Sequence, residues 1–376
     1  MKNSKIIHVV PAYPPHLGGM ELVSRQLVEK LSQSGLTIEV VTSNAGSMFG
    51  VSIENGVSVT RLKSSLFLSA PVSIGLFSTL WKSEVDIFAI HLAQAFFPDV
   101  AAFVARLRKI PYIVHVHGLV DPSTLFGNIL LPIYRKLFLA PMLRRANHII
   151  VFTSDYKDLI VKKYKISKEL VSIIPHATDY SIVKEAKTFL HGPIRLLAVG
   201  RLSSQKNYPL LLRTMKALSE ESALSYTLTV VGSGEKEEQL KQLSKQLHLE
   251  DTIIWKGRLD GLLLETEYEK ADIFVHTAVA ETFGIVFIEA MAKGLPICAT
   301  KIIGVQNVVT EGYNGILCSL NAVEIAKSID RIASNTLLYQ KLSSNNLDTI
   351  KKYTWENCVV ATTDIYTTIL NKKYER

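Results

Sequence analysis

The segment "ETFGIVFIEAMAKG", residues 281–294, carries two carboxylates, Glu281 and Glu289, at either end of an almost wholly apolar run. A helix that apolar should be buried, and an unpaired charge inside it is costly, so each acid should have a partner or a ligand. The interval between them spans about 12 Å if it is helical throughout, too far for an acid/base pair acting on one bond. Two cations stand on one polar loop in "AVGRLSSQKN", Arg201 directly after a strand-like run and Lys206 five residues later. Arg offers a planar fork and Lys a point charge, which together suit a diphosphate; a solvated charge pair is the competing reading. In "IPYIVHVHGL", His115 and His117 share one strand face, and His117 is nearer the strand end. A satisfied core histidine is the alternative for either.

Two glycine loops complete the set. Gly18 and Gly19 open a segment whose apolar residues Met20, Val23, Leu27, Val28 and Leu31 recur at helical spacing, and Gly35 ends it. Glycines at a helix start let backbone N–H groups approach a phosphate, although a tight structural turn explains them equally well. "VVGSGEKEEQL" holds Gly232 and Gly234, with Glu237 where a dinucleotide-binding loop would have its third glycine. The dehydrogenase fingerprint is therefore not met.

The elements that must position these residues are parallel strands. Short β-branched runs alternate with helix-length amphipathic segments, from "KIIHVV" to "NHIIVFTS" in the first half and from "IRLLAVG" to "GILC" in the second. That rhythm is the signature of α/β sheets, and its repetition predicts two doubly wound domains. In open sheets of this kind ligands bind beyond the carboxyl ends of the strands, where the unusual residues lie. Strand rhythm lapses over 180–193, before Gly192-Pro193. The expected division is 1–188, 189–355, and a terminal helix, 356–376, that packs back on the first domain.

At 376 residues the chain is too long for one ordinary core, and 48% hydrophobic with 20% charged residues excludes disorder as its theme. Cys298, Cys318 and Cys358 are far apart and form neither a disulfide framework nor a zinc motif, as expected in a reducing cytosol. No signal peptide and no bilayer-spanning run is read, so a cytoplasmic protein, soluble or peripheral on the inner membrane face, is expected. The net charge of +8 is uneven: residues 106–168 hold twelve Lys/Arg against three Asp. Such a patch suits anionic lipid, a phosphorylated substrate or nucleic acid, or is a solvated face. Aromatic stacking platforms are not interleaved with it, which argues against nucleic acid.

Taken in order, the glycine pair, "HG" strand end, "GRL…K", "VGSG", "ADIFVHTAVAETFG" with E-x7-E, and "GLPICAT" resemble the GT4 family of retaining nucleotide-sugar glycosyltransferases. The likeness covers nearly the whole chain, and the pairing of GRL…K with E-x7-E is its most specific part. It implies the GT-B fold, two Rossmann-like doubly wound parallel-sheet domains facing across a cleft, the first for the acceptor and the second for the donor. By motif, Arg201 and Lys206 would bind the donor diphosphate, and Gly18 and Gly19 would meet the phosphates from the first domain. Gly232 would line the donor site. Glu281, with the backbone of Phe283, Gly284 and Ile285, would touch the donor sugar, Glu289 the ribose, and His117 the transferred sugar. Hydroxyl donors suit ionised carboxylates, which only accept hydrogen bonds.

The resemblance also implies a front-face mechanism in which Glu281 and His117 position and stabilise rather than act as nucleophile and base. The chain has no Asp-x-Asp pair for a metal, so the cations would stabilise the leaving diphosphate, with no cofactor and no metal required. The expected acceptor is a saccharide or lipid-linked hydroxyl in bacterial surface polysaccharide assembly, with the basic apolar stretch 125–145 either leaning on an anionic leaflet or forming a core-facing helix with a basic outer side. A nucleotide-sugar 2-epimerase on the same fold is the alternative, and a non-catalytic binding module is a third. Two departures from the family pattern stand out: "IPHATD", 174–179, has His176-Ala177 for Asn-Gly, and "IIGVQNVV" replaces a GGxxE loop.

Overall fold

The computed structural model describes residues 4–15, 18–44, 49–67, 70–119, 131–187 and 192–374. The expected domain break at 188/189, residues 125–130 of the basic stretch, and Asp121 lie outside the described residues. The chain forms two compact units, one of residues 1–176 with 355–376 and one of residues 177–354.

Unit 1 is built on ten strands: β1 (Lys5–Val10), β2 (Thr37–Ser43), β3 (Gly50–Glu54), β4 (Val57–Leu62), β5 (Ser65–Phe67), β6 (Ala70–Val72), β7 (Ile87–Leu92), β8 (Tyr112–Val116), β9 (His148–Val151) and β10 (Val171–Ile173). Eight of them form one sheet in the order β10-β9-β8-β7-β1-β2-β4-β3, and β5 and β6 pair separately. Every pairing in the large sheet is parallel except β3 with β4. Central strands such as "IFAIHL" are buried at every position, as a sheet covered on both faces requires. The helix Gly19–Gln33 follows β1 and buries Val23, Leu27, Val28 and Leu31 of the expected stripe, with Ser24 buried among them and Met20, in the first turn, only half-buried.

Unit 2 has β11 (Ile194–Val199), β12 (Tyr226–Val231), β13 (Ile253–Gly257), β14 (Ile273–His276), β15 (Ile297–Thr300) and β16 (Gly315–Cys318). Their order is β13-β12-β11-β14-β15-β16, all parallel. This is the doubly wound order, and its direction reverses between β11 and β14. The helix Ala322–Ser334 buries Ile325, Ala326, Ile329, Ile332 and Ala333, and its Asn321 cap accepts from Glu324 N at 3.0 Å.

The units divide between His176 and Ala177 rather than near 188, because the segment that loses strand rhythm is tied to unit 2. Ser181 Oγ donates to Glu265 at 2.7 Å, Val183 N to the Ala292 carbonyl at 3.0 Å, and Lys187 N to Ser343 Oγ at 2.8 Å. Helices Ala322–Ser334 and Thr336–Thr349 stay in unit 2, and the helix Trp355–Tyr374 belongs to unit 1. Its buried Tyr366 and its Lys373, which reaches Asp86 at 2.9 Å, hold it there.

Candidate active site

Where a doubly wound sheet reverses, the loops leaving two adjacent strands diverge and leave a crevice at their carboxyl ends. In unit 2 these are the loops after β11 and β14, and they carry Arg201, Lys206, Glu281 and the residues that follow. Their backbones are joined: Val279 N donates to the Gln205 carbonyl at 2.9 Å, and Gln205 Nε2 to the Ala280 carbonyl at 3.0 Å. Thr277 Oγ1 donates to the carbonyl of Asn207 at 3.2 Å. These bonds bring together side chains 75 positions apart: the Lys206 ammonium donates directly to Glu281 Oε2.

His276, the last residue of β14, stands with Nε2 3.5 Å from the same carboxylate oxygen, and Thr282 N donates to the other oxygen at 3.1 Å. Burial pushes the Glu281 carboxyl up, but the Lys206 charge and the His276 contact outweigh it and hold the acid well below the usual carboxylate range. Glu281 is therefore an ionised, oriented acceptor. For His276, burial outweighs the Glu281 contact and holds the imidazole below its ordinary range, so it is neutral. Sequence reasoning missed His276. Its position as the final residue of the strand at the switch point was the available signal.

Arg201 lies on the same loop but faces solvent, its side chain 78% exposed and its Nε 3.9 Å from Glu235 Oε2. The expected pair of cations is thus split: Lys206 is committed to Glu281, and Arg201, among the described residues, meets an exposed contact worth little. Gly232 sits at the end of β12 with φ +146°, and a Cβ there would come within 2.0 Å of the Gly200 carbonyl oxygen. Close packing of the two strand-end loops therefore requires glycine at that position whether or not a ligand binds.

Glu289 stands within the helix Ile285–Ala292, whose start is set by Gly284 at φ +76°. Phe283 is buried beside it, its ring 5.7 Å from that of Tyr353. Tyr268 OH donates to Glu289 Oε2 at 2.7 Å. Burial raises this carboxyl to about 7, with the Tyr268 bond offsetting part of the rise. The structure thus places the two acids of the apolar run in one region and gives them opposite protonation behaviour. Tyr268, whose hydroxyl orients the Glu289 carboxyl, was also unforeseen.

In unit 1, Gly18 caps the helix Gly19–Gln33 with extended backbone, and Leu22 N returns to its carbonyl at 3.2 Å. His117 lies just past β8, half-buried, its Nε2 2.8 Å from His91 Nδ1. His115 is a core residue bonded to Tyr366 OH at 3.2 Å. His176, one of the departures from the family pattern, stacks on His117 at 5.7 Å and packs at a tilt against Phe152 at 3.7 Å. No group of three or more His, Cys, Asp or Glu among the described residues is arranged to hold a metal ion.

Comparison with known proteins places this geometry. The sequence family described as glycosyl transferases group 1 matches residues 181–348, and the one described as Glycosyltransferase Family 4 matches residues 17–181. The D-inositol 3-phosphate glycosyltransferase of Streptomyces bingchenggensis is 22% identical over 96% of this chain and 87% of its own. The UDP-Gal:alpha-D-GlcNAc-diphosphoundecaprenol alpha-1,3-galactosyltransferase of Escherichia coli is 24% identical over 85% of each chain. Among solved structures, Anabaena HepE in complex with UDP and glucose superposes with a TM-score of 0.76 at 18% identity, covering 97% of this chain and 100% of its own. That likeness concerns the fold.

Proposed function

Since the chain belongs to the group 1 glycosyl transferases of Family 4 and has their GT-B fold, we propose that it transfers a sugar from a nucleoside-diphosphate sugar to a saccharide or lipid-linked hydroxyl, with retained anomeric configuration and without a metal. The observation that carries this reading is the Lys206–Glu281–His276 cluster at the switch point of unit 2. A half-buried carboxylate kept ionised there is a fixed acceptor for sugar hydroxyls. Lys206 and Arg201 are assigned to the diphosphate, Glu289 to the ribose, and the backbone of Phe283, Gly284 and Ile285 to the donor sugar. Gly18, Gly19 and His117 are assigned to the phosphates and the transferred sugar.

In the reaction the bond from the anomeric carbon to the diphosphate oxygen breaks. The bond to the acceptor oxygen forms on the same face, and the acceptor proton passes to the departing phosphate oxygen. The protein's residues position these groups and offset the growing charge, so no side chain need become a nucleophile. Surface polysaccharide assembly is the proposed setting, in keeping with the lipid-linked acceptor named for the Escherichia coli relative.

A membrane-facing role for unit 1 belongs to the same reading. No helix among the described residues is long and apolar enough to cross a membrane. The helices Gly75–Lys82 and Phe97–Leu107 expose Phe77, Trp81 and Phe103, in ring contact at 5.7 and 6.3 Å, beside exposed Lys82, Arg106 and Lys109. Apolar rings among cations suit the interface of an anionic leaflet.

The test is transfer from a panel of UDP-, GDP- and ADP-sugars in excess EDTA. One nucleotide should win, product should keep the donor's anomeric configuration, and Glu281→Ala should lose about 30- to 1000-fold in turnover. Turnover that stops in EDTA and returns with Mg²⁺ overturns metal independence. An epimer formed from the nucleotide sugar alone, or near-full turnover by Glu281→Ala, overturns the reading itself.

A further inference from the structure

Three adjacent strands of unit 1 bring histidines into contact. His8 is on β1, His91 on its neighbour β7, and His115 is opposite His91 on β8, with His117 just beyond. The rings of His91 and His115 stack at 4.8 Å, and those of His91 and His117 at 5.1 Å. One continuous hydrogen-bonded path joins them. His115 Nε2 is 3.2 Å from Tyr366 OH, which is 3.3 Å from His8 Nε2. His8 Nδ1 is 2.9 Å from His91 Nε2, and His91 Nδ1 is 2.8 Å from His117 Nε2. His8, His91, His115 and Tyr366 are buried, and His117 is the half-buried end.

Burial, reinforced by neighbouring histidines, holds all four imidazoles below their ordinary range, that of His115 at about 3. A neutral imidazole has one N–H and one lone pair. If His8 donates through one nitrogen it must accept through the other, and the same holds for His91. The links through His8 and His91 therefore run in a common direction, so a choice at His91 is passed to His8 and His117, and the Tyr366 hydroxyl, able to donate and accept, can carry it on to His115.

Ser24, on the helix Gly19–Gln33, bears on that choice. Its Oγ is 3.1 Å from His91 Nδ1, the nitrogen that also faces His117. One N–H can be shared between two acceptors in a three-centre bond, whereas one imidazole lone pair is used up by a single donor. A proton on His91 Nδ1 serves both neighbours, with the Ser24 hydroxyl as acceptor, whereas a bare Nδ1 leaves one of two facing donors without its lone pair. We propose that the chain runs as donors from His115 through Tyr366, His8 and His91 into His117 Nε2, so that it fixes His117 as the Nδ1–H tautomer and makes Nδ1 a hydrogen-bond donor. Tyr366 and Ser24 are then positioning residues that act through His117. What the donor serves, an oxygen of the transferred sugar, rests on the glycosyltransferase reading of His117; the tautomer does not.

The experiment is ¹⁵N NMR of the full chain with labelled histidine, with the His117 signal identified by its loss in His117→Asn. The two neutral tautomers have distinct nitrogen shifts. His117 is expected as Nδ1–H. Tyr366→Phe removes the hydroxyl link and Ser24→Ala removes the selecting oxygen, and each should give His117 a mixture of tautomers. Turnover should fall in proportion to the lost Nδ1–H fraction. An Nε2–H tautomer in the parent protein overturns the proposal, and so does an unchanged Nδ1–H signal in both variants. If the tautomer behaves as stated while His117→Asn transfers sugar at the parent rate, the assignment of His117 to the sugar falls and the ordered chain stands.

Discussion

Glu281 and Glu289 belong to one short segment, and burial acts on both, yet they end in different protonation states. Glu281 has an ammonium within direct hydrogen-bonding reach and stays ionised. Glu289 has a phenol, which offsets only part of the desolvation, and its carboxyl rises to about 7. Because that value lies above the ordinary carboxylate range, the free protein holds the proton as pH falls below 7. On the proposed assignment of Glu289 to the ribose, the ionised carboxylate is the better acceptor for its hydroxyls, so binding would release the proton. Donor affinity should therefore weaken about tenfold for each pH unit below 7 and level off above it, with Glu289→Gln removing the slope. Calorimetric titration of the nucleoside diphosphate between pH 5.5 and 8.5 checks this, and an equal slope in both proteins removes Glu289 from the ribose. The same proton contributes stability that is complete below the unfolded carboxylate value and is lost as pH rises toward 7. Both acids stood out in the sequence as charges in an apolar run. Lys206 stood out as well, but for a diphosphate rather than for Glu281, and His276 and Tyr268 did not stand out at all, because spatial neighbours far apart in the chain leave no local pattern.

At the scale of elements, the helix Ile285–Ala292 is short, and tertiary packing holds it in place. Its anchor is Phe287, fully buried, with its ring edge-on to Phe274 at 5.9 Å and to His276 at 4.8 Å. A Cβ on Gly284 would lie 2.6 Å from the Phe287 ring, so the turn before the helix closes directly onto the anchor. Phe287→Ala should cost about 3–5 kcal/mol of unit 2 stability, the usual range for emptying an aromatic site. It should also weaken donor binding, because His276 and the Glu281 loop lose the surface they rest on. Denaturant titration beside the binding measurement checks both; a loss of stability with unchanged affinity would separate the anchor from the site. Strand and helix types were legible from β-branched runs and helical spacing. The edge strands β3 and β10 and the separate pair β5–β6 were not read, since strands as short as "VSI" or as exposed as "SLF" carry no alternation to detect.

For the whole molecule, unit membership follows bonds rather than rhythm: residues 177–187 join unit 2 through Ser181, Val183 and Lys187, and the last helix joins unit 1 through Tyr366 and Lys373. Membrane attachment would also act at this scale. Phe77, Trp81 and Phe103 are 41%, 45% and 52% exposed, and a bilayer would cover them together while drawing on the exposed Lys82, Arg106 and Lys109. The protein should co-sediment with phosphatidylglycerol vesicles at physiological salt and not with phosphatidylcholine vesicles, and Trp81→Ala with Phe103→Ala should weaken it. Equal recovery with both lipids would remove this role. What the sequence by itself determined was the class of fold and the short list of chemically unusual residues. Parallel strands impose local periodicity, and their carboxyl ends collect the glycines, cations and acids that lie just after them. Only the tertiary structure decided which of those residues meet. It paired Lys206 with Glu281, left Arg201 to solvent, set Glu289 against Tyr268, and joined four histidines through a tyrosine from the far end of the chain. Those outcomes depend on strand order and on which loops lie side by side, and strand order is set by packing between segments that share no local sequence pattern.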